Sequence, residues 1–245
     1  MKYKGPEDFK NLKTDTATPH ILFPEFATTI MTNMEEEAKW KETFMKLIDN
    51  TYAEVGSKSH FGDMKEWDKT LMDHSWLLET IQQACFAYIG ALGVDPHAYK
   101  FYVRKMWPAI LEKGGDVGPH AHYGSDLSGV LWVDIPDSDT SLDVNTEDSV
   151  GGNFNFKNIY HGPTRNIPLG TDAHWFCGNI SYHLIPKEGM MCVFPGDLPH
   201  GVEPYNGRGR RVSLSFDVTV ARDPNFELRS NEHTTPPPET WIELT

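Results

Sequence analysis

Three of the eleven histidines stand where their side chains could act together. His120 and His122 lie two positions apart in "GPHAHYGSD", and His200 sits in "FPGDLPHGVEP", directly after the apolar run "GMMCVFP". Side-chain direction repeats every two residues along a strand, so His120 and His122 would share one face there. Two ligands from one strand and a third from a distant one can cap one face of a metal. The remaining positions stay open, which suits non-haem Fe(II) with its need to bind a cosubstrate and O₂. The alternative is a pair of loop histidines bonded to backbone carbonyls.

A second pattern lies in "RRVSLSFDV". Val212, Leu214, Phe216 and Val218 alternate with Arg211, Ser213, Ser215 and Asp217. One face can pack on another layer, and the other carries a guanidinium and hydroxyls. Arginine presents a planar fork that binds a carboxylate through two hydrogen bonds. Arg211 and Ser213, eleven and thirteen residues after His200, therefore suit a carboxylate ligand, unless Arg211 faces solvent at a sheet edge. Arg208 and Arg210 precede the alternating run and read as turn residues.

These residues must be positioned by a β-rich region. After about residue 100, short β-rich runs follow one another, separated by Gly, Pro, Asn and Asp: "KFYVRKMWPAILE", "LSGVLWVDI", "GNFNFKN", "ISYHLIP", "GMMCVFP" and "RRVSLSFDVTV". No helix-length periodicity separates them, which favours an antiparallel sandwich or barrel over an α/β fold. Ahead of them, residues 34–55 carry Trp40, Phe44, Leu47, Ile48 and Tyr52 at helical spacing. Residues 75–93 read as a second helix, with Ser75 as N-cap and Gly93 as stop. Residues 1–33 read as irregular, "DSDTSLDVNTEDSVGG" as an acidic surface loop, and the proline-rich tail 223–245 as extended. A single domain is expected over 1–245: an N-terminal segment with supporting helices over about 1–97, a β core over about 98–222, then the tail.

Composition excludes several classes. Lys+Arg is 22 against Asp+Glu 35, a formal charge of −13, which argues against a protein that tracks nucleic-acid phosphates. The longest apolar runs are too short to span a bilayer. No basic segment followed by an apolar one opens the sequence, so no secretory signal is expected. The three cysteines, Cys85, Cys177 and Cys192, are odd in number and unpatterned, which fits a reduced cytoplasmic setting and not a thiolate metal site.

The stretch "MWPAILEKGGDVGPHAHYGSDLSGVLWVDIP", then "GGNFNFKN", then "PKEGMMCVFPGDLPHGVEPYNGRGRRVSLSFDV" resembles a branch of the Fe(II)/2-oxoglutarate-dependent oxygenases. The matching residues are Trp107, Lys113, Gly114, Pro119, His120, His122, Ser128, Gly129, Phe194, Pro195, His200, Val202, Pro204, Arg211 and Ser213, over about residues 101–220. The resemblance implies a double-stranded β-helix (jelly-roll) core, mainly β, flanked by N-terminal helices. It implies Fe(II) and 2-oxoglutarate as cofactors, with His120, His122 and His200 on the metal and Arg211 with Ser213 on the far carboxylate of 2-oxoglutarate. It also implies oxidation of a substrate by O₂ with release of succinate and CO₂.

The chain departs from the pattern in places. Ala109 and Val117 stand where the branch carries Asn, near the cosubstrate. The wider superfamily has His-x-Asp where this chain has His-x-His. Either His122 takes the carboxylate's place or Asp126 supplies the carboxylate; the preserved two-residue spacing favours His122.

Trp107, Tyr102 and Arg104 are candidates for lining the pocket, and His174 with Trp175, in "TDAHWFCGN", for a substrate lid. Asp197 could orient His200 through a hydrogen bond, and His183 reads as structural. The expected activity is hydroxylation of a small molecule or amino-acid side chain, without nucleic-acid or membrane partners and with homo-oligomerisation left open. Two alternatives stand beside it: a three-histidine iron dioxygenase independent of 2-oxoglutarate, and a non-catalytic jelly-roll binding module.

Overall fold

The computed structural model describes residues 17–22, 25–52, 59–61, 75–136, 151–157 and 181–226. Among these, eleven strands form two antiparallel sheets. The larger sheet has the order β1 (Ala17–Leu22), β2 (Glu25–Met31), β9 (Met190–Pro195), β6 (Leu127–Asp134), β11 (Arg211–Arg222), β4 (Tyr99–Leu111) and β3 (Ser59–Phe61). The smaller has β5 (Val117–His120), β10 (His200–Val202), β7 (Phe154–Lys157) and β8 (Ser181–Leu184). This is the expected jelly-roll arrangement. Residues 17–31, read as irregular, instead hold two strands, and β2 continues the large sheet by pairing Thr28–Met31 with Met190–Val193 of β9.

Both expected helices form: α1 over Met34–Tyr52 and α2 over Ser75–Ala91, the second ending just ahead of Gly93. Their apolar stripes face the large sheet. Trp40, Phe44 and Ile48 of α1 and Leu77, Ile81 and Cys85 of α2 share one buried cluster with Val212, Leu214, Phe216 and Val218 of β11. The apolar face read from "VSLSFDV" is thus the face that anchors the sheet to its helices. A second cluster fills the space between the sheets, with Trp132, Phe154, Phe156, Cys192 and Phe194. The polar face of β11 points into that space. No described helix is long and apolar enough to cross a membrane.

Candidate metal centre

His120 and His200 face each other across paired strands: their Cα atoms are register partners between β5 and β10. His122 is not on the strand as expected. It lies two residues beyond the end of β5, in a turn whose own N–H donates to Gly196 at 2.6 Å. Gly196 makes that approach feasible, since a Cβ there would collide with the carbonyl oxygens of Ser125 and His122. The outcome is the one the spacing suggested. The three rings converge with centroids 4.4–5.1 Å apart, and one ligand atom from each lies within 4.8 Å of the others.

Each ring is held by its Nδ1. That of His120 bonds the Gly118 carbonyl at 2.9 Å, that of His200 the Leu198 carbonyl at 2.8 Å, and that of His122 the Asp217 carboxylate at 2.7 Å. With Nδ1 donating, the three Nε2 lone pairs are left for a metal, and the partner fixes tautomer and orientation. Burial drives the pKa of His200 down to about 3, and the neighbouring imidazoles add to the effect. His200 is therefore neutral at physiological pH, the form a ligand requires.

Asp217 was legible only as a member of the polar face of β11. In the fold it also accepts the Ser128 hydroxyl at 2.8 Å. Burial raises its pKa, but hydrogen bonds and charge attraction from His122, joined by Ser128 and Ser125, outweigh that and leave it below the usual carboxylate value. Asp126, the alternative carboxylate, stands outside the histidine group, and its Oδ2 accepts the Val220 backbone N–H at 2.9 Å. Asp197 does not orient His200; the Leu198 carbonyl does.

Inward of the histidines lies a narrow cleft lined by Ala109, Val117, Phe154, Phe194, Val202, Arg211, Ser213 and Ser215, with Trp107 at its side. Arg211 is 2 % exposed, yet its Nε and Nη2 have no hydrogen-bond partner among the described residues. Burial lowers its pKa to about 10, partly offset by Tyr205, so it remains a cation at neutral pH. A buried cation with idle donors is costly unless an anion completes it. Gly152 makes room for it, because a Cβ there would sit 3.4 Å from Arg211 Cδ and 3.1 Å from the Tyr205 ring. The neighbouring arginines do other work: Arg210 pairs with Asp49 of α1, and the Arg208 carbonyl accepts the Tyr205 hydroxyl.

Outward of the histidines opens a larger cleft of about 500 Å³, lined by Arg104, Lys105, Trp107, Ala121, His122, Tyr123, Gly124, Ser125 and Asp217. Arg104, a sequence candidate, lies in this cleft and donates to the Gly124 carbonyl. Trp107 borders both clefts, its ring 5.3 Å from that of His122. Tyr102 lines neither cleft. Lys105 was not foreseen. His183 bonds Ser181 and Glu203, away from the cluster, as a structural residue would. His174 and Trp175 fall outside the described residues.

Three convergent imidazoles beside a buried guanidinium with idle donors fit Fe(II) with 2-oxoglutarate. Comparisons with known proteins agree. Residues 105–217, which include every group just described from Lys105 to Asp217, match the family described as "Putative 2OG-Fe(II) oxygenase". Among solved structures, the non-heme alpha ketoglutarate dependent epimerase SnoN from nogalamycin biosynthesis is 11% identical, with TM-score 0.51 over 86% of this chain and 89% of that one. The prolyl hydroxylase from Trichoplax adhaerens, solved with a peptide fragment of hypoxia inducible factor, is 12% identical, with TM-score 0.51 over 79% of this chain and 83% of that one. At such identities these two show a shared fold. No curated protein matches the sequence. Residues 105–217, a little under half of the chain, are thus similar to the 2OG-Fe(II) oxygenase family.

Proposed function

We propose that the protein is an Fe(II)- and 2-oxoglutarate-dependent dioxygenase that hydroxylates a small molecule or an amino-acid side chain, releasing succinate and CO₂. The observation that carries this reading is the juxtaposition of the three-histidine group with the orphaned, buried Arg211. His120, His122 and His200 would hold iron through Nε2. Arg211 and Ser213 would take the far carboxylate of 2-oxoglutarate. Iron with its cosubstrate supplies the capacity to oxidise a C–H bond with O₂.

The chain's own residues supply position and exclusion. Phe154 and Phe194 pack against His200, with ring centroids 5.4 and 4.7 Å away, and keep that side of the site dry. Exclusion of water protects the substrate's oxidation from side reactions. Asp217 holds the His122 ring and returns to the site the negative charge that His-x-Asp proteins place on the metal itself. Trp107 stands at the border of the two clefts, where it can separate cosubstrate from substrate.

The His-x-His pattern gives one reason to keep a second reading, a three-histidine dioxygenase that uses no keto acid. Arg211 weighs against it, because that reaction has no carboxylate for the buried guanidinium. Succinate release from iron-loaded protein, with 2-oxoglutarate and O₂, tests the choice. Succinate that depends on both iron and O₂ supports the first reading; a substrate oxidised at full rate without 2-oxoglutarate supports the second.

A further inference from the structure

The outer cleft owes its charge to an irregularity in β4. Phe101, Val103 and Met106 all pack against the helix-side cluster. Strict alternation cannot place both Val103 and Met106 on one face. The pairing with β11 resolves this: Lys105 is opposite Asp217 and Val103 is opposite Val218, so Arg104 has no register partner. Arg104 is the extra residue of a β-bulge, a device that re-aims side chains and recurs beside active sites. Its effect is to turn two consecutive cations, Arg104 and Lys105, away from the core and into the same cleft.

Those cations are available. Among the described residues neither forms an ion pair. Arg104 gives one Nη1 bond to the Gly124 carbonyl, which leaves donors of its guanidinium free. The one carboxylate lining the cleft, Asp217, is engaged by His122 and Ser128. In a chain with a formal charge of −13, this is a local reversal of sign at the mouth of the site. Tyr123, 84 % exposed, and Trp107 add aromatic surface to the same cleft. Its volume, about 500 Å³, is that of an ordinary small-molecule pocket.

We propose that the substrate is an organic oxyanion, a carboxylate or a phosphate monoester, whose charge is held by Arg104 and Lys105 while its body lies along Trp107 and Tyr123 toward the histidines. The identity of this pocket as a substrate site rests on the oxygenase reading; the anion site itself can be measured without it.

The test is calorimetric titration of the metal-free, full-length protein with four probes of one shape: 2-naphthoate, 2-naphthyl phosphate, 2-naphthalenemethanol and 2-naphthylmethylamine. Neither iron nor turnover is involved, so a failure here is distinct from a failure to release succinate. At least one anion should bind about tenfold or more tightly than the alcohol and the amine, a difference of about 1.4 kcal/mol. The two anionic arms tell carboxylate from phosphate. Lys105→Glu should weaken the preferred anion about tenfold or more, Lys105→Gln should weaken it less, and Arg211→Ala should leave it unchanged. Equal binding of alcohol and anion overturns the proposal, as does the failure of both anions to bind at millimolar concentration. Anion binding that survives Lys105→Glu and is lost in Arg211→Ala also overturns it, because the anion would then occupy the inner cleft.

Discussion

The two clefts that meet at His122 are built from the same pair of strands, and they differ in how each treats charge. The inner one is tight, with about 40 Å³ of free volume, and is walled by Val117, Val130, Phe154, Phe194 and Val202. Its cation, Arg211, is buried and lacks partners for two of its nitrogens. The outer one is open, about 500 Å³, and its cations are exposed. On β4 and β11 the inner wall follows regular alternation, which sends Ala109, Ser213 and Ser215 to one side. The outer wall begins where the bulge at Arg104 breaks that alternation. The difference has an energetic meaning. A desolvated charge pair is strong and intolerant of a missing partner, whereas an exposed one is weakened by water and salt. The inner cleft is thus suited to one fixed anion, and the outer cleft, on the reading proposed above, to discrimination among substrates.

The largest effect should come from breaking the wall the clefts share. His200→Ala should abolish retention of iron, since two protein ligands hold it far more weakly than three. Metal analysis of the purified variant checks this; near-stoichiometric iron with retained turnover would contradict the assignment. Arg211→Ala comes next. It should keep iron and raise the half-saturating 2-oxoglutarate concentration by one to several decades, from the loss of about 2–5 kcal/mol when a buried charge pair is broken. An unchanged 2-oxoglutarate dependence would separate Arg211 from the inner cleft.

Asp217→Asn should be milder, lowering metal affinity about 10–100-fold, the usual consequence of losing a carboxylate behind a ligating histidine. Co(II) titration of the variant measures it, and an unaltered affinity would make the Asp217–His122 bond purely structural. Asp126→Ala should keep its metal, since its carboxylate serves the Val220 N–H of β11. Loss of iron from that variant would restore Asp126 as a ligand.

The pH dependence of the metal-free protein follows from His200. Its folded pKa, about 3, lies below the ordinary 6.5, so the unfolded chain takes up a proton that the native state refuses. The effect is absent above pH 6.5 and grows as pH falls from 6.5 toward 3, by up to about tenfold in the folding constant per pH unit. Urea unfolding at stepped pH, with His200→Phe as reference, would reveal it as a steeper acid-side loss of stability in the unsubstituted protein.

Much of the site was legible because it depends on local rules. The two-residue spacing of His120 and His122 carried their convergence even though His122 lies past the strand's end. The alternation in "VSLSFDV" assigned Val212, Leu214, Phe216 and Val218 to the core and Arg211 and Ser213 to the cleft, as observed. What was not legible depends on pairing between distant segments. Asp217 acts on His122 only because β11 lies beside β6, which sets Asp217 opposite Ser128. The recruitment of β2 into the large sheet likewise needs β9 as a template. Lys105 was missed for a different reason. The apolar phase runs through Phe101 and Val103 and resumes at Met106, and that break in period was the signal of the bulge.

The central claim, that three histidines and a buried arginine together build an iron and 2-oxoglutarate site, meets its most direct test in an anaerobic titration. Fe(II)-loaded protein should develop the metal-to-keto-acid charge-transfer band as 2-oxoglutarate is added, and Arg211→Ala should require far more 2-oxoglutarate for the same band. Fe(II)-loaded protein that shows no band at any 2-oxoglutarate concentration would contradict the account.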